Sequence, residues 1–190
     1  MKKILDTPRG KVLIRESSPL DAPRYRELRL EALQDSPIAF SADYQQNLSQ
    51  PPKYWQDRLT MQPDEATIFL AEHDGGLIGM TGIMRNSSPK VRHSAWVWGV
   101  YVSPAWRGLR IADELIYSCF GWARPRRIVI AKLGVAAINQ PAIKCYERCG
   151  FKTYGTEPRA VFYQGKYYDE YLMSIDVDGV DIPPGSTTSS

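Results

Sequence analysis

Histidine and cysteine are scarce in this chain, with two of the first and three of the second in 190 residues. That shortage removes the usual material of a His/Cys metal centre or a disulfide-stapled fold. Cys119, Cys145 and Cys149 cannot all pair with one another, and their number suits a reducing compartment. Cys145 and Cys149 are four apart on a predicted helix, but without a nearby histidine they read as small buried side chains, and no metal is expected. His73 and His93 fall near a hairpin turn and a strand start and read as surface or edge residues. No apolar run approaches the roughly 20 residues that span a bilayer. Met1-Lys2-Lys3 is not followed by the apolar stretch of a signal peptide, so a cytoplasmic protein is expected. Neither sign of charge dominates, since 24 basic residues are interleaved with 21 acidic ones for a net +3. That balance is too mild for a nucleic-acid surface.

The length and a hydrophobic content of 43% allow one domain with a substantial core. Lys11 to Arg15 reads as a strand, and Asp21 to Leu33 as a helix carrying Tyr25, Leu28, Ala32 and Leu33 at helical spacing. A turn-rich stretch then leads to a second helix, Lys53 to Met61, behind a Pro-Pro start. Strands follow at Ile68 to Glu72 and Leu77 to Arg85, joined by Asp74-Gly75-Gly76, a hairpin signal. A third, Arg92 to Val102, completes an antiparallel meander. The pattern then alternates: helix Ile111 to Ala123, strand Arg127 to Val135, helix Gln140 to Cys149, strand Lys152 to Glu157, strand Lys166 to Ile175. The expected fold is α/β, a single mixed sheet of about seven strands with about four helices, and a right-handed crossover makes its central pair parallel.

Gly99 to Ala112 carries the clearest chemistry. A strand ending in Val100-Tyr101-Val102 turns at Ser103-Pro104-Ala105, and Arg107-Gly108-Leu109-Arg110-Ile111-Ala112 opens a helix. The first-turn N–H groups of a helix lack intrahelical partners, and together with two arginines they form an anion site. Gly108 permits close approach of a ligand to the backbone. Further on, Asn139-x-x-Ala142-x-x-x-Tyr146-x-x-x-Gly150-Phe151 puts Asn139 and Tyr146 on one helix face, with Pro141 in the first turn. Asn139 also reads as a helix cap and Tyr146 as a core aromatic.

These two motifs resemble the GNAT superfamily of acyl-CoA-dependent N-acetyltransferases. Arg107-x-x-Arg110-x-Ala112 is similar to the family's Arg/Gln-x-x-Gly-x-Gly/Ala motif, with Arg110 where the pattern prefers glycine. The resemblance covers most of residues 11 to 175 and implies a domain at 11–176, an N-terminal extension at 1–10 and a flexible tail at 177–190. It implies acetyl-CoA as acyl donor, with pantetheine along Val100, Tyr101 and Val102. The pyrophosphate would lie at Arg107, Gly108, Leu109, Arg110, Ile111 and Ala112, with Asn139, Ala142 and Tyr146 beside the cofactor. A main-chain N–H near Val100 or Tyr101 would polarise the thioester carbonyl. Tyr146 would be the general acid toward the leaving thiolate. Homodimers are frequent in the family.

The acceptor is expected to be a primary amine of a small molecule, or less readily of a protein, in a pocket drawing on Phe40, Tyr44, Trp98 and Tyr163. The strand Arg92 to Val102 holds no carboxylate to serve as base, which leaves a water chain to Glu72, Glu170 or Asp43. The alternative is an acyl-CoA-binding sensor without efficient turnover. A nucleotide-binding module would share the anion loop but leaves the Asn139/Tyr146 pattern unexplained.

Overall fold

The computed structural model describes residues 2–180. β1 (Lys2–Thr7) and β2 (Gly10–Glu16) form an antiparallel hairpin, with Lys2 opposite Arg15 and Thr7 opposite Gly10. The segment expected as an extension is therefore an edge strand. Lys2, Lys3 and Asp6 disguise it in the sequence, and such charges protect an edge from further pairing. Three helices follow: α1 (Ala22–Asp35), the short α2 (Tyr44–Leu48) and α3 (Pro52–Leu59). β3 (Ala66–His73) and β4 (Gly76–Arg85) are linked through Asp74 and Gly75, both at positive φ (46° and 79°). Two such residues in succession give the turn whose twist suits a tight hairpin.

β5 (Ser94–Val102) completes the antiparallel half, and α4 (Ile111–Ala123) crosses over to β6 (Ile130–Ala136), which runs parallel to β5. After α5 (Gln140–Arg148), β7 (Lys152–Tyr163) takes the far edge, and β8 (Lys166–Asp176) returns between β7 and β6. The sheet order is β1-β2-β3-β4-β5-β6-β8-β7. This is the expected single mixed sheet with a parallel central pair. Strand β1 and helix α2 are the additions to the elements read from sequence.

Both faces of the sheet are covered, so the central strands are apolar on both sides. On β3, Phe69 and Ala71 face the core under α4 and α5, while Ile68 and Leu70 face α1 and α3. Burial of Phe69, Ile68 or Leu70 contributes about 1.5–3 kcal/mol each of apolar transfer. Asp21, fully buried before α1, ties this layer to the sheet. It accepts from Arg15 Nη1 and Nη2 at 2.8 and 2.7 Å, from the Ser18 N–H at 2.8 Å and from Arg24. Position 177, the expected start of the tail, is packed into the fold. Val177 is fully buried, its N–H donates to the Val129 carbonyl at 2.8 Å, and its own carbonyl accepts from Arg124. Residues 181–190 of that tail lie outside the described residues.

Candidate active site

β5 and β6 pair only at Ser94–Ile130, Ala95–Ala131 and Trp96–Lys132. Beyond Trp96 they diverge, and the second half of β5 has no partner on that side. On its other side the register slips, so that Gly82 opposes Trp98 while Met80 opposes Tyr101. Gly99 and Val100 thus stand against the single residue Thr81, and Gly99 adopts φ 65°. This is a β-bulge, which re-aims the strand end at a point where pairing stops. The Thr81 hydroxyl donates to the Trp98 carbonyl at 3.3 Å and braces it.

The opening between the strands is a cleft of 490 Å³. Its walls are Val100 to Val102, the loop and first turn of α4, the start of α5, and Phe40 with Ala39 from the connection after α1. The intrahelical ladder of α4 begins with the Glu114 N–H donating to the Arg110 carbonyl at 3.1 Å. The N–H groups of Ile111, Ala112 and Asp113 therefore remain without intrahelical acceptors at the cleft. Gly108 has φ 79°, and a Cβ there would meet nothing within 4 Å, so backbone conformation rather than crowding requires glycine at this position. A polyanion fits this end of the cleft.

The two loop arginines are committed to carboxylates. Arg107 lies over the Tyr101 ring, donates from Nε to the Val102 carbonyl at 3.0 Å and forms an ion pair with Asp35. Arg110 precedes α4 with φ 61° and ψ 13°, the left-handed conformation that favours glycine. Its guanidinium donates to Asp113 at 3.0 Å. Asp113 also accepts from Arg148 at 3.0 Å and from the Cys145 thiol at 3.2 Å. Burial opposes ionisation of Asp113, but hydrogen bonds from Arg148, Arg110 and Cys145 outweigh it and hold the carboxyl below its ordinary range. A hydrogen bond with Cys149 and burial push the Cys145 thiol upward, so it stays protonated.

Asn139 and Tyr146 both reach the cleft from α5. Asn139 caps the helix, its side-chain oxygen accepting from the Ala142 N–H at 3.2 Å. The Tyr146 ring packs edge-on to Phe151, at 6.1 Å between centroids, and burial raises its hydroxyl well above the ordinary tyrosine value. The hydroxyl is consequently protonated at neutral pH. Every residue expected at the donor site lines the cleft except Leu109, which packs into the core beneath α4. Of the expected acceptor residues, Phe40 lines the cleft. Tyr44 and Trp98 pack against the core under α1 and α3, and Tyr163 sits beside the β7–β8 turn.

Residues 27–151 match the acetyltransferase (GNAT) family. The chain belongs to that family. It is 33% identical over 124 residues to the L-amino acid N-acetyltransferase AaaT of Escherichia coli, an alignment covering 63% of this chain and 74% of the relative. It is 34% identical over 105 residues to a mycothiol acetyltransferase of Acidothermus cellulolyticus, covering 50% of this chain but only 32% of that longer protein. Among solved structures, a GNAT acetyltransferase from Streptococcus pneumoniae superimposes with a TM-score of 0.76 at 24% identity, covering 87% of this chain and 98% of the other. Salmonella typhimurium YncA with its cofactor acetyl-CoA gives a TM-score of 0.72 at 19% identity, covering 90% and 97%. These last two likenesses establish the fold.

Within this GNAT domain the structure adds residues that the sequence did not single out. Trp106, Asp113 and Arg148 line the cleft. Glu170 of β8 lies over Gly134 of β6, where a Cβ would approach its carboxylate to 2.7 Å. Burial, and then the charge of Glu157, hold the Glu170 carboxyl above its ordinary value. The carboxylate set suggested for the base is thereby separated. Glu72 is bound to Arg15 at 2.5 Å, Asp43 caps α2, and Glu170 pairs with Ala136, four residues beyond Lys132 of the last β5–β6 pair. Arg29, on the buried face of α1, shows in the sequence only as a cation inside an apolar helical stripe.

Proposed function

We propose that this GNAT enzyme transfers an acetyl group from acetyl-CoA to a primary amine of a small molecule by direct attack on the thioester. The observation that carries this is the bulged half of β5, left unpaired where it diverges from β6 and opening onto the α4 N-terminus. Pantetheine would add to this edge as a further strand does, and the pyrophosphate would meet the open N–H groups of α4. Arg107 and Arg110 would contribute positive charge after partial release from Asp35 and Asp113. The thioester would then sit by Val100, where a main-chain N–H stabilises charge developing on the carbonyl oxygen.

Two proton transfers remain. Tyr146 would donate to the departing thiolate, its raised value keeping the phenol protonated throughout the working range. A lysine-like amine starts about 3 units above neutral pH and must lose a proton before attack. Glu170, half-buried over Gly134 on β6 where that strand diverges from β5, would accept that proton through water. Its raised value makes it a stronger base than an exposed glutamate. The family relatives support a small acceptor, since one is named for L-amino acids and others for mycothiol.

The purified protein with acetyl-CoA and a panel of small primary amines tests this by thiol release and by the mass of the product. Stoichiometric N-acetylation of at least one amine supports the assignment. Tight binding of acetyl-CoA without acetylation of any amine favours the sensor alternative.

A further inference from the structure

Polar atoms that are buried without a partner are concentrated in one place. Among the described residues they are Tyr25 Oη, Arg29 Nε and Nη1, Trp55 Nε1 and Arg58 Nε. All five belong to α1 and α3, on the face of the sheet that carries the β5 bulge. Buried polar groups are nearly always satisfied in folded proteins, so a cluster of unpaired donors is a place where a ligand or ordered water completes the hydrogen bonds, and Tyr25 Oη also lies within reach of Arg58.

Arg29 is the centre of the group. It is 6% exposed, and no carboxylate among the described residues pairs with it. Its guanidinium stacks on the Phe40 ring at 4.5 Å from the centroid, and Phe40 lines the cleft. A Cβ placed on Gly99 would stand 3.7 Å from Arg29 Nη1, so the guanidinium touches the bulge itself. Arg58 lies nearby, over the rings of Tyr54 and Trp98 at 5.7 and 5.3 Å, and its own charge disfavours that of Arg29. Burial first, and then this like charge, hold Arg29 below its ordinary value. By contrast, the part-buried Arg15 has Asp21 and Glu72 as partners. Two neighbouring guanidinium groups without an acid form a site for an anion, and the planar fork of arginine matches a carboxylate in two-point contact.

We infer that the acceptor is an α-amino acid, its carboxylate held by Arg29 with Arg58 behind it, and its amine presented to the thioester at the bulge. The inference rests on the acetyltransferase reading above and adds the acceptor's chemical class. The position of Arg29 sets the length of the acceptor. In an α-amino acid only the Cα separates amine from carboxyl carbon, and Arg29 adjoins Gly99, one residue before the main chain that would hold the thioester. An amine carried further from its carboxylate would overshoot. Arg29 would act by binding and orienting the acceptor, and its orphan donors would be satisfied only in the ternary complex.

The test compares each of the common L-α-amino acids with its own carboxamide, at saturating acetyl-CoA, by thiol release. At least one amino acid should exceed its carboxamide in kcat/KM by about 100-fold, as expected when a charged two-point contact is lost. If carboxamides or simple alkylamines are acetylated as well as the acids, the carboxylate site is refuted while the acetyltransferase reading stands. If no amine of any kind is acetylated, both fall together. Arg29→Met supplies a second measurement. It should raise the KM for the amino acid by at least about 30-fold and leave the KM for acetyl-CoA unchanged, without lowering the melting temperature, because an unpaired buried cation has been removed. A lower melting temperature with an unchanged KM for the amino acid would make Arg29 a structural residue and overturn the inference. Arg58→Met should act in the same direction with a smaller effect.

Discussion

Arg110 holds a left-handed backbone at φ 61° while its guanidinium reaches forward to Asp113 in the first turn of α4, 3.0 Å away. Side chain and backbone therefore pull in different directions. The conformation costs about 1–2 kcal/mol for a residue with a Cβ, and an exposed ion pair returns at most about 1 kcal/mol. Arg110→Gly should accordingly be near neutral in urea unfolding. Arg110→Ala, which keeps the strain and loses the pair, should be about 1 kcal/mol less stable than the glycine variant.

Tyr146→Phe removes the proposed proton donor and no hydrogen bond within the described residues. It should lower kcat by about 100-fold and leave CoA affinity within a few-fold, measured by steady-state kinetics and titration calorimetry. Because burial raises the hydroxyl, the wild-type rate should show no alkaline fall from this group below about pH 10.

Glu170→Gln tests the base. The carboxylate form is the active one, and burial places its ionisation above the ordinary glutamate range. The acid limb of kcat/KM should thus lie above about pH 4.3. In the glutamine variant that limb should vanish along with most of the rate.

Asp21 is held well below the usual carboxylate range, first by Arg15. A group depressed on folding stabilises above its unfolded value of about 3.9 and loses that contribution as pH falls toward the folded value. Asp21→Asn should therefore destabilise by about 3 kcal/mol at pH 7, since Arg15 would keep only the less buried Glu72. The difference from wild type should shrink only below about pH 4, as urea midpoints across pH would show.

Gly82 faces Trp98 across the β4–β5 pair, and a Cβ there would come within 2.3 Å of the indole. Gly82→Ala should cost about 1–3 kcal/mol through overpacking. It should also displace Trp98 from beneath Arg58, visible as a change in tryptophan fluorescence and a raised KM for the acceptor.

The sheet was legible in the sequence because its turns announce themselves. Asp74-Gly75 is a hairpin, and the change from strand runs to alternating helices marks the crossover into β6. β1 was not legible, since lysines and aspartate hide an edge strand whose order comes from pairing with β2. The cleft was legible because its walls are local: a strand end, a loop and two helix starts, each readable from neighbouring residues. The arginine cluster beside it was not, although Phe40 is among the expected pocket residues. Arg29 and Arg58 are far apart in the chain, and the absence of an acid near Arg29 among the described residues becomes visible only once every surrounding side chain has been placed. Tyr44 illustrates the reverse, an aromatic residue whose type suits a pocket but which the fold packs against the core under α1 and α3.

The central claim is that the splayed strands and the α4 N-terminus take a CoA thioester. Thermal unfolding of the purified protein with acetyl-CoA, CoA, ATP or NAD in separate samples tests it most directly. Binding at 100 times Kd stabilises by about 2.7 kcal/mol. The account predicts a clear upward shift with acetyl-CoA and CoA and none with ATP or NAD. No shift with either CoA compound, or an equal shift with ATP, would contradict it.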